Sequence, residues 1–288
     1  MPLTLAQVTG TNFAYNNVRF ETFLEDMTRL GRRHIELWAI APHFSIPAAS
    51  AQDVRTLKRQ LQEREMMLYC LTPEQIMYPI NLASEITWIR DSSIEMFSKA
   101  AEIASELEGE MLFLTPGRGF EDGDPAEAWK RSIEATRQVV DYAGSKGIRC
   151  VVECLQRSES NLVHDLKALA RFVADVDHEN LNVALDTPAM AAAGDSVEDY
   201  VRVFGSRLTH VHLVDGKPTG HLAWGDGSLP LTHYLQVLSE ANYAGMMSFE
   251  IFGAQYASDP GAAHERSLSA VQAALGSLGT ATMADGRF

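Results

Sequence analysis

The sequence predicts an α/β fold, a single (β/α)8 barrel in which eight parallel strands alternate with helices. Short apolar runs alternate with longer amphipathic stretches along the chain, in eight strand-then-helix units. No change in composition divides the 288 residues into two domains, and such barrels reach roughly 250 residues or more. The alternative, a doubly wound sheet, is disfavoured because no Gly-x-Gly-x-x-Gly motif follows a strand.

The strands are predicted at short apolar runs that are bounded by polar or turn-forming residues. They are Leu3–Thr9, His34–Trp38, Met66–Leu71, Glu110–Thr115, Ile148–Glu153, Leu181–Asp186, Leu208–His212 and Met246–Ile251. Turn signals support two boundaries. Pro116-Gly117 follows the fourth strand, and Gly147 stands where a glycine commonly ends a helix.

The helices are predicted between the strands, where apolar residues recur every three or four positions. They are Phe20–Leu30, Val54–Arg64, Trp88–Leu107, Ala126–Lys146, His164–Ala174, Val197–Phe204, Leu231–Glu240 and Ala262–Leu275. The barrel is therefore expected to occupy residues 1–276. Residues 277–288 are expected to form a C-terminal tail, because they are small and polar and lack periodicity.

Composition and charge exclude several classes of partner. The chain carries 24 Lys and Arg against 38 Asp and Glu, a formal charge of −14, so it should repel nucleic acid and anionic membranes. No apolar run approaches the roughly 18 residues that span a bilayer, and the N-terminus lacks the pattern of a secretory signal. Three scattered cysteines suit a reducing compartment. We therefore expect a cytoplasmic protein without membrane contact.

Polar residues end four consecutive strands in the second half of the chain. Glu153, Asp186 and His212 end strands five to seven, and Glu250 lies beside the end of strand eight. Because active sites of these barrels lie at the C-terminal ends of the strands, the four side chains should converge there. A carboxylate at a strand end usually caps a helix or pairs with a cation. Four such residues in succession instead favour one divalent metal ion held by mostly oxygen ligands, Mn²⁺, Mg²⁺, Co²⁺ or Zn²⁺.

His210 lies two residues before His212, so the alternation of strand side chains points both into the barrel. We expect His210 to lie one layer deeper, as a hydrogen-bonded core histidine rather than a metal ligand.

The segments around these strand ends resemble a known family. They are VVEC around Glu153, ALDT around Asp186, HVHLVD from His210 to Asp215, and SFEI around Glu250. They are similar to the xylose-isomerase-like TIM barrels of the sugar phosphate isomerase/epimerase superfamily. Within it they look most like the ketose 3-epimerases, the fructoselysine 3-epimerase and D-tagatose 3-epimerase group. IELWAIAPHF, LTPEQIMYPIN, ESNLV and HLAWGDGSLPL extend this resemblance over nearly the whole chain.

The resemblance implies a metal-dependent epimerase or isomerase of a ketose or ketose derivative. In the family the Glu–Asp–His–Glu set binds one divalent ion, here expected to be Mn²⁺, with Mg²⁺, Co²⁺, Zn²⁺ or Ni²⁺ as alternatives. The two glutamates, Glu153 and Glu250, also move protons next to the carbonyl, through an enediolate that the metal stabilises. Family members are commonly homodimers or homotetramers, so the same is expected here.

Four further residues are candidates for substrate contact. Glu159 follows Glu153 by six positions, as in the family, and His43 follows Pro42 after the second strand. His221 lies in the loop after strand seven, and Trp38, with Phe113 and Trp224, offers an apolar wall for a sugar face. Each also has an ordinary alternative as a solvated loop residue or as core packing.

Two departures bear on the substrate. Epimerases of free ketohexoses carry a histidine three residues after the metal-binding aspartate and an arginine six residues after the ligand histidine. This chain has Ala189 and Pro218 at those positions, which favours a modified or substituted sugar.

Three other functions remain as alternatives on the same barrel. A lyase, such as an inosose dehydratase or a C-glycoside-cleaving enzyme, would use a similar metal and similar proton abstraction. A non-catalytic sugar-binding barrel would need no metal. A DNA-repair nuclease is disfavoured by the charge of −14 and by the few histidines at the strand ends.

Overall fold

The computed structural model describes residues 3–76 and 79–285, with side chains through residue 278. Its eight strands are all parallel and neighbour one another in the order β1-β8-β7-β6-β5-β4-β3-β2. They are β1 (Val8–Gly10), β2 (His34–Ala39), β3 (Met67–Pro73), β4 (Met111–Leu114), β5 (Arg149–Val152), β6 (Leu181–Asp186), β7 (Leu208–His212) and β8 (Met246–Phe249). A parallel bridge between Thr11 and Glu36 links the two ends of this sheet. The predicted (β/α)8 barrel is thereby confirmed.

Helices surround the sheet. They are α1 (Phe20–Arg29), α2 (Ala51–Gln62), α3 (Thr87–Glu106), α4 (Pro125–Ser145), α5 (Leu166–Val176), α6 (Thr187–Ala193), α7 (Val197–Phe204), α8 (Leu231–Glu240) and α9 (Pro260–Asp285). Local sequence begins several of them. Ser50 and Asp53 form a capping box before α2, and Asp165 accepts a hydrogen bond from the backbone of Ala168 at the start of α5. Such caps satisfy amide groups that a helix leaves without partners.

Helix α5 shows how an amphipathic helix buries one face. In α5 the stripe comprises Leu169, Phe172, Val173 and Val176, at spacings of three and four residues, and all four are buried. Burial of one such side chain contributes about 1.5–3 kcal/mol. The amphipathic pattern therefore fixes which face of this helix packs on the barrel.

Two boundaries at the ends of the chain differ from the prediction. The first strand was predicted at Leu3–Thr9, but it begins only at Val8, because Thr4 and Gln7 cap a short 3-10 turn before it. The last helix continues to Asp285 rather than ending at Leu275. No proline interrupts the segment, so residues 277–285 of the predicted tail continue α9, and residues 286–288 lie outside the described residues.

An additional helix, α6, was not predicted. It spans only seven residues directly after β6, which is too short for a periodic pattern. Asp186 begins it by accepting a hydrogen bond from the backbone of Ala189, and Pro188 stands in its first turn, where no amide donor is required.

The barrel interior is layered from an apolar base to a polar mouth. One apolar cluster lies inside the barrel, with Phe113 at its upper side against the His212 ring; its members are Tyr69, Cys70, Met111, Phe113, Val151, Ala184 and Met246. Above it lies a layer of buried polar side chains, Glu36, Thr72, His210 and Ser248. Strand alternation explains this order, because Met246, Ser248 and Glu250 follow one another at every second position of β8 and its end. The polar layer leads directly to the mouth.

Cys70, Cys150 and Cys154 are free thiols and all are buried. Within the described residues, none of the helices combines the length and the hydropathy that a membrane span requires.

Candidate active site

The four predicted ligands converge at the mouth of the barrel. The His212 Nδ1 atom lies 3.1 Å from Glu250 Oε2 and 3.5 Å from Glu153 Oε2. Ligand atoms of Glu153, Asp186 and His212 all lie within 4.8 Å of one another. The strand ends thus bring these side chains together as expected, while their assignment as metal ligands stays a prediction.

His221 joins this group from the loop after β7. Its Nε2 atom lies 3.2 Å from Glu250 Oε2 and 3.5 Å from Asp186 Oδ2. Asp186, His221 and Glu250 form a second set of donor atoms within 4.8 Å of one another. His221 was predicted to contact substrate, and its position also makes it a possible fifth ligand.

The donor set fits a divalent cation. Asp186 Oδ1 accepts a hydrogen bond from the Ala189 amide at 2.6 Å, but the buried Asp186 Oδ2 atom has no hydrogen-bond partner. The buried His212 Nδ1 atom also lacks one, although two carboxylate oxygens lie near it. Buried polar atoms without partners are costly. A Mn²⁺-like ion among three carboxylates and an imidazole would satisfy both atoms.

The two glutamates have opposite electrostatic surroundings. Burial raises the pKa of Glu153 to about 8, and the charges of Glu250 and Asp186 raise it too, against the effect of His212. Burial would also raise the pKa of Glu250, but His212 and His221 outweigh it and hold this pKa well below its usual range. Without a bound cation, therefore, Glu153 holds a proton near neutral pH and Glu250 is ionised.

Nearby carboxylates raise the pKa values of both imidazoles at this site. Burial alone would lower the pKa of His212, but Glu250 and Glu36 outweigh it and raise the pKa well above its ordinary value. Likewise, the nearby carboxylates of Asp186 and Glu250 raise the pKa of His221 against the effect of burial. Protonated imidazoles thus neutralise part of the negative charge, which a divalent cation would otherwise do.

Glu36 is a functional candidate that the sequence analysis missed. Its carboxylate is fully buried beneath the converging ligands. It lies 3.1 Å from His212 Nε2 and 2.8 Å from His210 Nε2. His210 is therefore a hydrogen-bonded core histidine, as predicted. The sequence did contain an indication of its role: Glu36 is a charged residue between Ile35 and Leu37, in a strand whose other residues are mostly apolar.

Asp215 organises the loop that carries His221. Its two carboxylate oxygens accept hydrogen bonds at 2.8–3.0 Å from four backbone amides, those of Gly216, Gly225, Gly227 and Leu229. An antiparallel bridge pairs Asp215 with Leu222, and the His221 carbonyl accepts from the Phe252 amide at 2.8 Å. The loop is therefore held by its own backbone and by the segment after β8.

A cavity of about 90 Å³ lies over the cluster. Its walls include Phe13, Trp38, Phe113, Glu153, Glu159, Asp186, Ala189, His221 and Glu250. The Trp38 indole donates a hydrogen bond to Glu74 at 3.0 Å, and Phe113 stacks on the His212 ring. Glu159 accepts from the Gln156 amide at 3.0 Å, and burial raises its pKa. Trp38, Glu159 and His221 therefore line the cavity, where a bound substrate would lie within their reach.

Two residues suggested by the sequence lie elsewhere. His43 does not line this cavity: its Nδ1 lies 2.8 Å from the Asn12 side chain and its Nε2 lies 2.7 Å from the Val18 carbonyl. Asn12 also bonds to both backbone groups of Trp38, so His43 supports the strand end that carries Trp38. Trp224 is buried under the loop after β7, where its indole donates to the Leu213 carbonyl.

A larger cavity of about 320 Å³ adjoins the first. The two share Gln75, Ile76, Thr115, Leu155 and Glu159. Beyond these residues the lining of the larger cavity includes the apolar residues Ile80, Ile86, Ile89 and Phe120 and the charged residues Glu85, Arg118 and Arg131. The mouth therefore extends sideways over the ends of β3, β4 and β5.

Comparison with known proteins agrees with this architecture. Fructoselysine 3-epimerase of Escherichia coli O157:H7 is 26% identical over 239 residues, which cover 82% of this chain and 87% of the relative. D-psicose 3-epimerase of Agrobacterium fabrum is 25% identical over 242 residues, covering 82% and 80%. A solved structure of L-ribulose 3-epimerase has a TM-score of 0.82 at 18% identity and covers 97% of this chain and 98% of its own. This last likeness concerns the fold alone.

The family model for the xylose isomerase-like TIM barrel matches residues 24–274. The match includes seven of the eight strands and every residue of the Glu153, Asp186, His212 and Glu250 cluster. The chain therefore belongs to the xylose isomerase-like TIM barrel family.

Proposed function

We propose that the protein is an isomerase, a divalent-metal-dependent 3-epimerase of a ketose or ketose derivative. The observation that carries this proposal is the convergence of Glu153 and Glu250 on His212 Nδ1. Named relatives along most of the chain are ketose 3-epimerases, which supports the reaction type. Glu153, Asp186, His212 and Glu250 would hold the metal ion, for which we propose Mn²⁺, with His221 beside them.

Epimerisation at the carbon next to a carbonyl removes a proton from one face and returns one to the other. A bound divalent cation would act as a Lewis acid on the carbonyl oxygen and so acidify that proton. Two proton-transferring groups are then required on opposite sides of the substrate. Glu153 follows β5 and Glu250 follows β8, three strands apart in the sheet, so the two carboxylates approach the mouth from different directions.

Their opposite pKa shifts suit an acid and a base acting together. Glu250, ionised, is suited to accept a proton, and Glu153, which holds its proton more tightly, is suited to donate one. A cation bound beside both would lower the pKa of each carboxyl, so the protonation state in the working enzyme depends on both influences. Their roles exchange when the reaction runs in reverse.

The surroundings favour a substituted sugar. Ala189 lines the cavity over the cluster and offers no hydrogen bond from its side chain. The adjoining cavity leaves room for a substituent on the ketose. We propose that Trp38 packs on the sugar, while Glu159 and His221 bond to its hydroxyl groups. Three buried free thiols suit a reducing compartment, and we propose the cytoplasm.

The test is a screen of ketoses and amine-substituted ketoses in deuterated water, with Mn²⁺ or with a chelator. We expect metal-dependent formation of the C3 epimer, with solvent deuterium at that carbon. Loss of water or cleavage of the substrate, seen as a change in product mass, would instead identify a lyase. A purified protein that binds no divalent ion and turns over none of the substrates would favour a sugar-binding barrel.

A further inference from the structure

The carboxylate of Glu36 is the centre of a buried hydrogen-bond network near the seam of the barrel, where the two ends of the sheet, β1 and β2, meet. Four side chains surround it: His210 and His212 from β7, Thr72 from β3 and Ser248 from β8. Glu36 itself stands on β2, and all five side chains belong to buried residues. One carboxylate thus connects strands on both sides of the seam.

The chemistry of this network determines where the protons lie. An ionised carboxylate only accepts hydrogen bonds, so every partner must donate. Each oxygen of Glu36 lies within hydrogen-bond distance of one hydroxyl and one imidazole, the arrangement of a carboxylate that accepts from four donors. Thr72 and Ser248 donate from their hydroxyl groups, and each imidazole donates from Nε2.

The same proton placement determines what His212 presents to the mouth. A cation that binds at the mouth displaces the Nδ1 proton of His212, and the neutral imidazole that keeps its proton on Nε2 then has a free lone pair on Nδ1. The Nδ1 atom of His212 is the one that faces Glu153 and Glu250, and it has no hydrogen-bond partner of its own. Phe113, stacked 4.8 Å from the ring, restricts its rotation.

We propose that Glu36 is a positioning residue, which fixes the Nε2-protonated tautomer and the orientation of His212 so that Nδ1 serves as the metal ligand. His210 holds the second carboxylate oxygen and thereby fixes Glu36. The inference rests on the proposed metal site for its consequence, but the proton placement can be measured without substrate. A carboxylate that accepts a hydrogen bond from the other nitrogen of a ligating histidine raises the basicity of that histidine, and its removal lowers metal affinity by roughly 10–100-fold.

A different reading is that Glu36, His210 and His212 themselves hold a second ion, since their donor atoms lie within 4.8 Å of one another. The hydrogen bonds from Thr72 and Ser248 argue against it, because they already occupy lone pairs of both carboxylate oxygens. That reading requires two ions per chain, so metal stoichiometry separates the two.

The first experiment records the imidazole nitrogens by NMR in protein labelled with ¹⁵N-histidine and loaded with Zn²⁺, which is diamagnetic. His212 is assigned by comparison with a His212→Gln variant. We expect a proton on Nε2 and a metal-bound Nδ1. A proton on Nδ1, with Nε2 bound to the metal, would overturn the proposal even if the metal site itself is correct. This measurement uses the unaltered chain, so it does not depend on a variant that folds.

The second experiment measures the metal affinity and the visible Co²⁺ spectrum of the Glu36→Gln and Thr72→Val variants and of the unaltered protein. Gln keeps the shape of the side chain but can accept from only one imidazole, so we expect metal affinity to fall by roughly 10–100-fold. Thr72→Val removes one hydroxyl donor and leaves both imidazole contacts, so its affinity should stay close to that of the unaltered protein. With Co²⁺ at saturation, the visible spectrum of Glu36→Gln should differ from the other two, because the imidazole is no longer held.

Three results distinguish failure of the proposed metal site from failure of the role proposed for Glu36. If the unaltered protein binds no divalent ion, the proposed function fails at its metal site. If it binds one ion but Glu36→Gln keeps native affinity and the native Co²⁺ spectrum, only the role of Glu36 fails. If it binds two ions and Glu36→Gln binds one, Glu36 is a ligand and not a positioning residue.

Discussion

Glu153 and Glu250 are the same residue type at equivalent ends of two strands, yet their surroundings shift their pKa values in opposite directions. The difference arises because Glu250 approaches two imidazoles, His212 and His221, at 3.1 and 3.2 Å, whereas Glu153 approaches only His212, at 3.5 Å. Neighbouring charges at such distances decide which of two buried carboxyls ionises first. Pairs of this kind are how one site supplies both an acid and a base.

The first prediction concerns proton transfer by the two glutamates. Glu153→Gln and Glu250→Gln should each abolish epimerisation, because one of the two proton-transferring groups is lost. At least one variant should still exchange the substrate proton with deuterated water, since the remaining carboxylate can act on its own face. The measurement is product formation by chromatography and exchange by NMR. Near-native epimerisation by both variants would contradict the two-glutamate mechanism.

The second prediction concerns the ligands Asp186 and His212. Asp186→Asn and His212→Ala should each lose the bound metal and nearly all activity, because each removes one donor atom from the cluster. Metal content is measured on the purified protein by mass spectrometry of the elements. His43→Ala is the matched control, since His43 lies outside the cavity and its loss should leave one ion per chain. A His212→Ala protein with full metal content would refute the ligand assignment.

The third prediction concerns how the stability of the metal-free protein depends on pH. The native pKa of Glu153 is raised to about 8, above the ordinary value of roughly 4.3 for the unfolded chain. Its contribution to stability is therefore complete below about pH 4 and is lost as the pH rises through about 8, because the native state binds the extra proton. The raised pKa of His221 acts in the same direction.

The lowered pKa values of the buried His210 and His264 act in the opposite direction below about pH 6.5. We therefore expect the free energy of unfolding in the presence of a chelator to fall between about pH 6.5 and about pH 8, by at most ~1.4 kcal/mol per pH unit for each proton. Urea titrations at several pH values measure it. Glu153→Gln, which cannot release this proton, should show a shallower slope. An equal slope in both proteins would assign the effect to other groups.

Sequence reasoning found the residues at strand ends because their spacing repeats with each βα unit. Glu153, Asp186, His212 and Glu250 could be placed in this way without coordinates. Glu36 could not, because it lies inside a strand, and its partners come from strands that are distant in sequence. The position of His43 was also undetermined, since a loop histidine can face the mouth or the neighbouring helix with equal ease.

At the scale of elements, the loop after β7 decides where His221 lies. Gly227 packs so closely on the Asp215 carboxylate and on the Gly216 amide that a Cβ atom has no room there. Glycine is therefore required for the close approach, and the loop depends on it as much as on Asp215.

The fourth prediction follows from that contact. Gly227→Ala should break the Asp215 bonds and displace His221, and a displacement of about 1 Å at such a site can lower activity by roughly 100-fold. Steady-state kinetics measure it. Gly276→Ala is the matched control, because a Cβ atom there meets nothing within 4 Å, and its kinetics should be unchanged. If Gly227→Ala retained native kinetics, the loop would not position His221.

Strands six and seven were predicted at their observed bounds, because polar residues mark both ends of each apolar run. Helices α7 and α8 were also predicted at their observed bounds, and the remaining predicted strands and helices were found with shifted ends. Helix α6 could not be found, because it depends on a cap by Asp186 that the sequence equally allows as a free strand end.

At the scale of the molecule, the number of βα units specified the barrel. Eight units were visible in the sequence, and the order of the strands follows from joining each to its neighbour. The sequence predicted a barrel but not the contacts that close it between β1 and β2. These include the bridge between Thr11 and Glu36 and the hydrogen bonds of the Asn12 side chain to the backbone of Trp38, and no local sequence pattern indicates that these segments pair.

The fifth prediction links metal and fold. The proposed ligands come from the ends of four strands, so an ion that binds only the native state should stabilise the whole barrel. At a free concentration of 100 times Kd, Mn²⁺ should raise the free energy of unfolding by ~2.7 kcal/mol. Thermal and urea unfolding with Mn²⁺ and with a chelator measure this. Asp186→Asn should show no such increase, and an equal increase in that variant would place the ion elsewhere.

The polar layer of Glu36, Thr72, His210 and Ser248 also restricts which substitutions the protein can accept one at a time. An apolar replacement at any one position leaves partners buried without hydrogen bonds, at about 1–3 kcal/mol for each group. Replacing all four together by apolar residues of similar volume would remove these mismatches within the layer and leave only the Nε2 proton of His212 without its acceptor. The effects of single substitutions are therefore strongly epistatic. Lineages of this barrel should keep the quartet intact or exchange it as a unit, and intermediate combinations should be rare among them.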